Sequence, residues 1–224
     1  MSEKHVYGFG PGMTDGDAEM KNLLGGKGAN LAEMSKLDIP VPPGFTITTE
    51  VCTHFNENQQ SYPEDLEAQM KSSLKDIEKR LGTVFGDPDN PLLLSVRSGA
   101  RTSMPGMMET VLNVGLNDFT RNGLIAQSGD PRFVYDAQRR LVQMYSDVVM
   151  EKAAGIQPEE GMGIRNQLEH ELEKMKEQVG VSEDTELSAI NLKDLVEIYK
   201  GKILEVLKKP FPEDPWEQLW GAVS

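Results

Sequence analysis

Two short segments hold the residue types best suited to binding an anion. In the first, Leu-Gly-Gly-Lys-Gly at 24–28, glycines 25, 26 and 28 leave backbone N–H groups bare at the entrance to a helix, and Lys27 adds a full positive charge there. The positive end of a helix dipole, uncovered N–H groups and an ammonium together suit a phosphate. The run is too short for the Walker pattern, and a plain tight turn ahead of a helix has the same composition.

The second segment runs from 95 to 108. Arg97 and Arg101 stand on either side of Ser98-Gly99-Ala100 and are followed by Thr102, Ser103, Met104, Pro105, Gly106, Met107 and Met108. Guanidinium groups offer paired donors to phosphate oxygens, the hydroxyls donate as well, and Gly106 beside Pro105 lets a loop fold over a ligand without a Cβ in the way. A pair of surface ion pairs on a solvent loop is the competing reading. The three methionines either line a nucleotide as an adaptable cover or fill irregular gaps, as methionine commonly does.

Other groups offer less. His5, His54 and His170 are isolated, with no partner at metal-ligand spacing, so each is expected to be structural or exposed and none to carry a phosphoryl group. Cys52 is expected to be a small buried hydrophobe, and it has no second cysteine with which to form a disulfide. The Glu- and Lys-rich run at 169–178 reads as a solvated helix face.

The elements that must position the two segments follow from periodicity. The chain from 17 to 37 turns through Gly25-Gly26 and becomes a helix with Lys27 in its first turn. A turn at 41–44 leads into a strand at 45–48, with Thr48 or Thr49 placed to cap the next helix. Pro63 opens a helix whose buried stripe is Leu66, Met70, Leu74, Ile77 and Leu81, stopped by Gly82. Residues 92–97 read as a central strand feeding the Arg-rich loop, and 110–114 as a second strand. Helices are expected around Phe133, Ala137, Leu141, Met144 and Val148, then over 164–179 and 192–207, and a turn at 210–215 launches the closing segment. The expected division is an α/β lobe of 1–117 plus 200–224, with 118–199 a helical subdomain. The chain ends four residues after Trp220 without a helix-stop signal, which reads as a truncation.

Composition sets bounds on partners. With 23 Lys+Arg against 36 Asp+Glu, the net charge of −13 opposes nonspecific attraction to nucleic acid or anionic lipid. No apolar run is long enough to span a bilayer and no signal segment follows the charged start, so a cytoplasmic protein is expected.

Asn22 through Met34, then Pro43-Gly44-Phe45-Thr46-Ile47-Thr48-Thr49-Glu50, then the block 95–118 with Ser-Val-Arg-Ser-Gly-Ala-Arg-Thr-Ser-Met-Pro-Gly-Met-Met, resemble the N-terminus of the pyruvate, phosphate dikinase family of PEP-utilising enzymes. Phe133-Val134-Tyr135-Asp136 and 143–149 carry the likeness onward. Phosphoenolpyruvate synthase is the runner-up, but its corresponding stretch, Val-Arg-Ser-Ser-Ala-Thr before an acidic insertion, fits less well.

The resemblance implies an α+β fold, the first lobe of an ATP-grasp-type domain with an inserted helical subdomain. It implies that Lys27 and Arg97 contact ATP phosphates, with Arg101 beside them and 102–108 covering them, and that no catalytic residue or metal ligand lies within these residues. The parent reaction converts ATP, phosphate and pyruvate to AMP, pyrophosphate and phosphoenolpyruvate through a phosphohistidine. Mg²⁺, a second lobe, a phosphohistidine domain and a PEP/pyruvate-binding domain would belong to that parent, in a homo-oligomer of the cytoplasm or a plastid. A chain without them is expected to be inactive alone, at most a folded nucleotide-binding module.

Overall fold

The computed structural model describes residues 3–98 and 110–223, which fall into two compact units: one runs to Gly82 and includes Ser98, the other comprises Thr83–Arg97 and the residues from Thr110 onward. The sequence reading put its boundaries at 117/118 and 199/200, whereas the contacts divide the chain after Gly82. Helices and short sheets mix in both units, an α+β arrangement. No helix among the described residues is long and apolar enough to cross a membrane.

In the first unit β1 (Val6–Phe9) pairs antiparallel with β2 (Gly44–Ile47), in the register Val6 to Ile47 and Phe9 to Gly44. Among the described residues three helices accompany this ribbon: α1 (Lys21–Lys36), α2 (Thr49–Glu57) and α3 (Leu66–Leu81). The stripe Leu66, Met70, Leu74 and Ile77 on α3 is fully buried, as its spacing predicts, while Leu81 falls off the stripe into solvent. Gly82 ends α3 in the left-handed conformation at φ 69°, its N–H reaching back to the Glu78 carbonyl. Pro63 does not open this helix. Asp65 takes the N-cap position, and Pro63 sits one turn earlier with its carbonyl accepting from the Leu66 N–H.

One α3 side chain serves as a strand. Gln69 Oε1 accepts from the backbone N–H of His5 (2.8 Å) and of Val6 (3.2 Å), while its Nε2 donates to the Glu3 carbonyl at 2.7 Å. The amide thus supplies the partner that a neighbouring strand would offer to the start of β1.

In the second unit β3 (Val84–Phe85) and β4 (Pro91–Leu92) form a short parallel pair, and β5 (Leu94–Arg97) pairs antiparallel with β6 (Thr110–Val114). The expected central strand at 92–97 is therefore two strands, and β5 has β6 as its one neighbour among the described residues. Leu94 and Val96 are half-buried while Ser95 and Arg97 are exposed. That period of two belongs to a strand with one solvent face, not to one buried on both. The register shifts between Leu94 and Val96, where β6 carries an extra residue and Asn113 adopts φ 61°. This is a bulge with its left-handed position filled by an asparagine, a residue that tolerates it.

Among the described residues five α-helices follow in this unit: α4 (Thr120–Ser128), α5 (Pro131–Tyr145), α6 (Ile164–Val179), α7 (Ala189–Leu207) and α8 (Pro215–Val223), with a π-helical stretch at Ser146–Lys152 extending α5. Pro131 at N1 and Asp130, whose Oδ1 accepts from the Phe133 N–H at 3.0 Å, start α5. Its buried face is Val134, Gln138, Leu141, Val142 and Tyr145, packed in a core with Leu192, Leu195, Val196 and Tyr199 of α7. Phe133, expected on that face, is 54% exposed. The run at 169–178 lies on α6, which buries Leu168, Leu172 and Met175 and turns Arg165 and Glu169 outward as an i,i+4 pair at 3.1 Å.

Candidate functional site

The three glycines around Lys27 have three different physical reasons. Gly25 breaks α1 at φ 68°, ψ 169°, a region essentially closed to residues with a Cβ, so the helix restarts after it and Lys27 falls in the first turn of the renewed helix. Gly28 is buried, and a Cβ there would stand 2.7 Å from Thr46 Cγ2 and 2.8 Å from Thr46 Oγ1. Its role is to let α1 lie against β2. Gly26 faces open space, with no described atom outside its own helix backbone within 4 Å of where its Cβ would be. Bare backbone at an approachable surface is therefore a property of Gly26.

Lys27 is exposed, and its Nζ donates to the Ser98 carbonyl at 3.2 Å, within the first unit. The ammonium holds a neutral acceptor there, not a carboxylate, so its charge is uncompensated by that contact. Arg97 is the last residue of β5, paired with Thr110, exposed, and without an ion-pair partner among the described residues. Arg101, Thr102, Ser103, Met104, Pro105, Gly106, Met107 and Met108 lie outside the described residues.

The threonines at the β2–α2 corner do not cap as expected. Thr48 occupies the N-cap position of α2 without a side-chain capping bond, and its Oγ1 is buried without a hydrogen-bond partner among the described residues. Thr49 Oγ1 instead donates to the Asn22 carbonyl at 2.6 Å, tying the start of α2 to the first turn of α1.

His5 is buried, with Nε2 at 3.2 Å from Asp65 Oδ1, which fits a structural role. Cys52 is exposed, contrary to expectation, because it lies on the outer face of the short α2, whose buried residue is Val51. Among the described residues no group of three or more His, Cys, Asp or Glu side chains is arranged to hold a metal ion.

Sequence reasoning missed a charged network in the second unit. Lys200 Nζ lies 2.9 Å from Asp118 Oδ1 and 2.6 Å from Glu213 Oε1, while Asp118 also accepts from Arg121 at 2.6 Å and from Gln138 at 3.0 Å. Burial pushes the Asp118 carboxyl up, but the hydrogen bonds from Lys200 and Gln138 and the charges of Lys200 and Arg121 outweigh it and hold it below its ordinary value. Burial likewise pulls Lys200 down, yet its bonds to Glu213 and Asp118 leave it raised. A second such group centres on Arg139, 3% exposed, with Asp136 at 2.8 Å and Asp184 at 3.5 Å. Asp118 and Lys200 are far apart in the chain, and only the charge of each was visible beforehand.

Comparison with known proteins points in one direction. Residues 21–80, which run from the first residue of α1 through most of α3, match the family model "Pyruvate phosphate dikinase, AMP/ATP-binding domain". The chain is 51% identical over 222 residues to a pyruvate, phosphate dikinase of Rhizobium meliloti (strain 1021), with 99% of this chain and 23% of the relative covered. Identity is 49% over 225 residues to pyruvate, phosphate dikinase 1, chloroplastic, of Arabidopsis thaliana (100% and 22% covered), and 46% over 222 residues to the pyruvate, phosphate dikinase of Clostridium symbiosum (99% and 24%). The chain thus spans about a quarter of the length of the curated relatives it matches.

Proposed function

Since this chain belongs to the pyruvate, phosphate dikinase family, we propose that it binds ATP for a phosphotransferase, with Lys27 and Arg97 each a phosphate ligand. The observation that carries the reading is the pairing of an exposed Lys27 ammonium with Gly26, whose missing side chain leaves the backbone open at the start of a helix. A charged donor and bare backbone at a helix N-terminus fit phosphate oxygens. The unit carrying them would be the first lobe of an ATP-grasp-type domain, with Arg101 and residues 102–108 completing the phosphate contacts.

In this reading the residues hold and orient the polyphosphate. Phosphoryl transfer needs placement of the transferring group and neutralisation of the charge spread over its oxygens, and Lys27 and Arg97 supply part of both. Mg²⁺ would arrive with the nucleotide and neutralise further charge. The whole protein would make phosphoenolpyruvate from pyruvate, with ATP and phosphate as co-substrates.

Calorimetry of the chain with ATP and magnesium tests this. Binding is expected, with Lys27→Ala and Arg97→Ala each weakening it at least about tenfold, the size expected for a charged hydrogen bond. Equal affinity in the wild type and both variants would sink the assignment. In a full-length dikinase the same substitutions are expected to abolish phosphorylation of the enzyme by ATP and to leave exchange between pyruvate and phosphoenolpyruvate intact.

A further inference from the structure

We propose that the β2–α2 corner positions Lys27, with Thr49 as the positioning residue that holds the glycine-lysine segment in place; this rests on the reading of Lys27 as a phosphate ligand. The corner touches that segment on both sides of Lys27. Upstream, Thr49 Oγ1 donates to the Asn22 carbonyl at 2.6 Å. Downstream, Thr46 lies under Gly28 so closely that no Cβ fits between them.

Three observations give the upstream bond its importance. The Gly25 break detaches the opening turn of α1 from the rest of the helix, so the i to i−4 ladder does not run unbroken through it. Of the residues from Lys21 to Leu24 only Leu24 is buried, while Lys21 and Asn22 are exposed. Leu24, the half-buried Leu23, the bonds of their N–H groups to the Met20 carbonyl and the Thr49 hydroxyl are what fix the turn that precedes Gly25, and of these the hydroxyl is the one side-chain hydrogen bond among the described residues. Finally, Thr49 stands in the first turn of α2, next to a Thr48 that makes no side-chain cap, yet its hydroxyl reaches out to another helix. Threonine near a helix start ordinarily satisfies its own helix's N–H groups. Here the hydroxyl is directed at the segment bearing Lys27.

A bond at 2.6 Å to the Asn22 carbonyl limits how far Asn22 can move. Gly25 has the widest backbone freedom in the segment, so loosening the turn before it changes the direction in which the chain enters the next helix. The Lys27 ammonium would then sample more positions, and affinity for a polyphosphate would fall because that freedom must be lost on binding.

The test compares Thr49→Val, which keeps the shape and removes the hydroxyl, with Thr49→Ser, which keeps the hydroxyl. Two readouts are taken on the full 224-residue chain: amide hydrogen exchange resolved over residues 22–28 and over α3, and calorimetry with ATP and magnesium. Thr49→Val is expected to speed exchange at 22–28, leave α3 unchanged, and weaken ATP about fivefold, the effect of one neutral hydrogen bond. Thr49→Ser is expected to restore both. Unchanged exchange at 22–28, or faster exchange with wild-type ATP affinity, overturns the proposal and leaves the Lys27 reading standing. Faster exchange in Thr49→Val that extends to α3 and is not rescued by Thr49→Ser marks a merely structural residue and also overturns it. If the wild type binds no ATP, or Lys27→Ala binds as well as wild type, the functional reading fails and the positioning role falls with it.

Discussion

At the scale of single residues, the glycines beside Lys27 separate stability from binding. Gly28→Ala places a methyl against Thr46, and overpacking of this kind costs about 1–3 kcal/mol, measurable as a lower midpoint in urea. Gly26→Ala meets open space, and an alanine in a helix gains about 0.5–1 kcal/mol over glycine. The same methyl shields the backbone that the proposed site offers to phosphate. Gly26→Ala is therefore expected to keep or raise the urea midpoint while weakening ATP, and Gly28→Ala to lower the midpoint. A loss of stability in Gly26→Ala without a change in ATP affinity would contradict this division of roles.

At the scale of elements, the bulge in β6 and the network around Lys200 fix how pieces distant in sequence meet. Asn113 holds the left-handed position of the bulge, which a β-branched residue resists. Asn113→Val is expected to cost about 1–2 kcal/mol and Asn113→Gly to be near neutral, both read from thermal unfolding. Asp118, Lys200 and Glu213 join the approach to α4, the middle of α7 and the turn before α8. Asp118, held below its ordinary value of 3.8, contributes stability above that pH and loses it as pH falls through the lower folded value. Lys200, raised above its ordinary 10.5, contributes fully below that pH and loses its share as pH rises past the folded value. In Asp118→Asn the acid arm of the stability profile should flatten, with a loss of about 1 kcal/mol at neutral pH because Asp118 is partly exposed.

These two elements also mark what the sequence discloses. The α3 stripe and the Gly82 stop are legible because their causes lie within a few residues of one another. Gly25 is legible for the same reason, since a turn before a helix is a local event. The reason for Gly28 is Thr46 on another element, and the reason for Thr49's hydroxyl is Asn22, so neither leaves a local trace. The start of α4 is local in one half and distant in the other: Asn117 Oδ1 accepts from the nearby Phe119 and Thr120 N–H groups, while its Nδ2 donates to the Glu213 carbonyl, which leaves no local trace. Of the candidate site, Lys27 and Arg97 are placed, and 101–108 lie outside the described residues.

At the scale of the whole molecule, a net charge of −13 repels a polyanion at long range, and screening confines attraction to cations within about 8–10 Å of it. The proposed binding of ATP would therefore come from local donors, which is why single cations such as Lys27 are expected to matter so much. The same excess of like charge keeps molecules apart, but it does not protect an open sheet margin, where main-chain groups recruit one another over short distances. Here Gln69 has a consequence beyond its own fold. By occupying the His5 and Val6 N–H groups, its amide covers the opening of β1, while Asp15 occupies the Gly8 backbone groups further along the strand. Gln69→Leu would keep the volume and bare those donors. It is expected to turn a clear solution into one that scatters light with time and concentration; clear solutions of Gln69→Leu at high concentration would refute the idea that this side-chain amide helps guard the protein against its own copies.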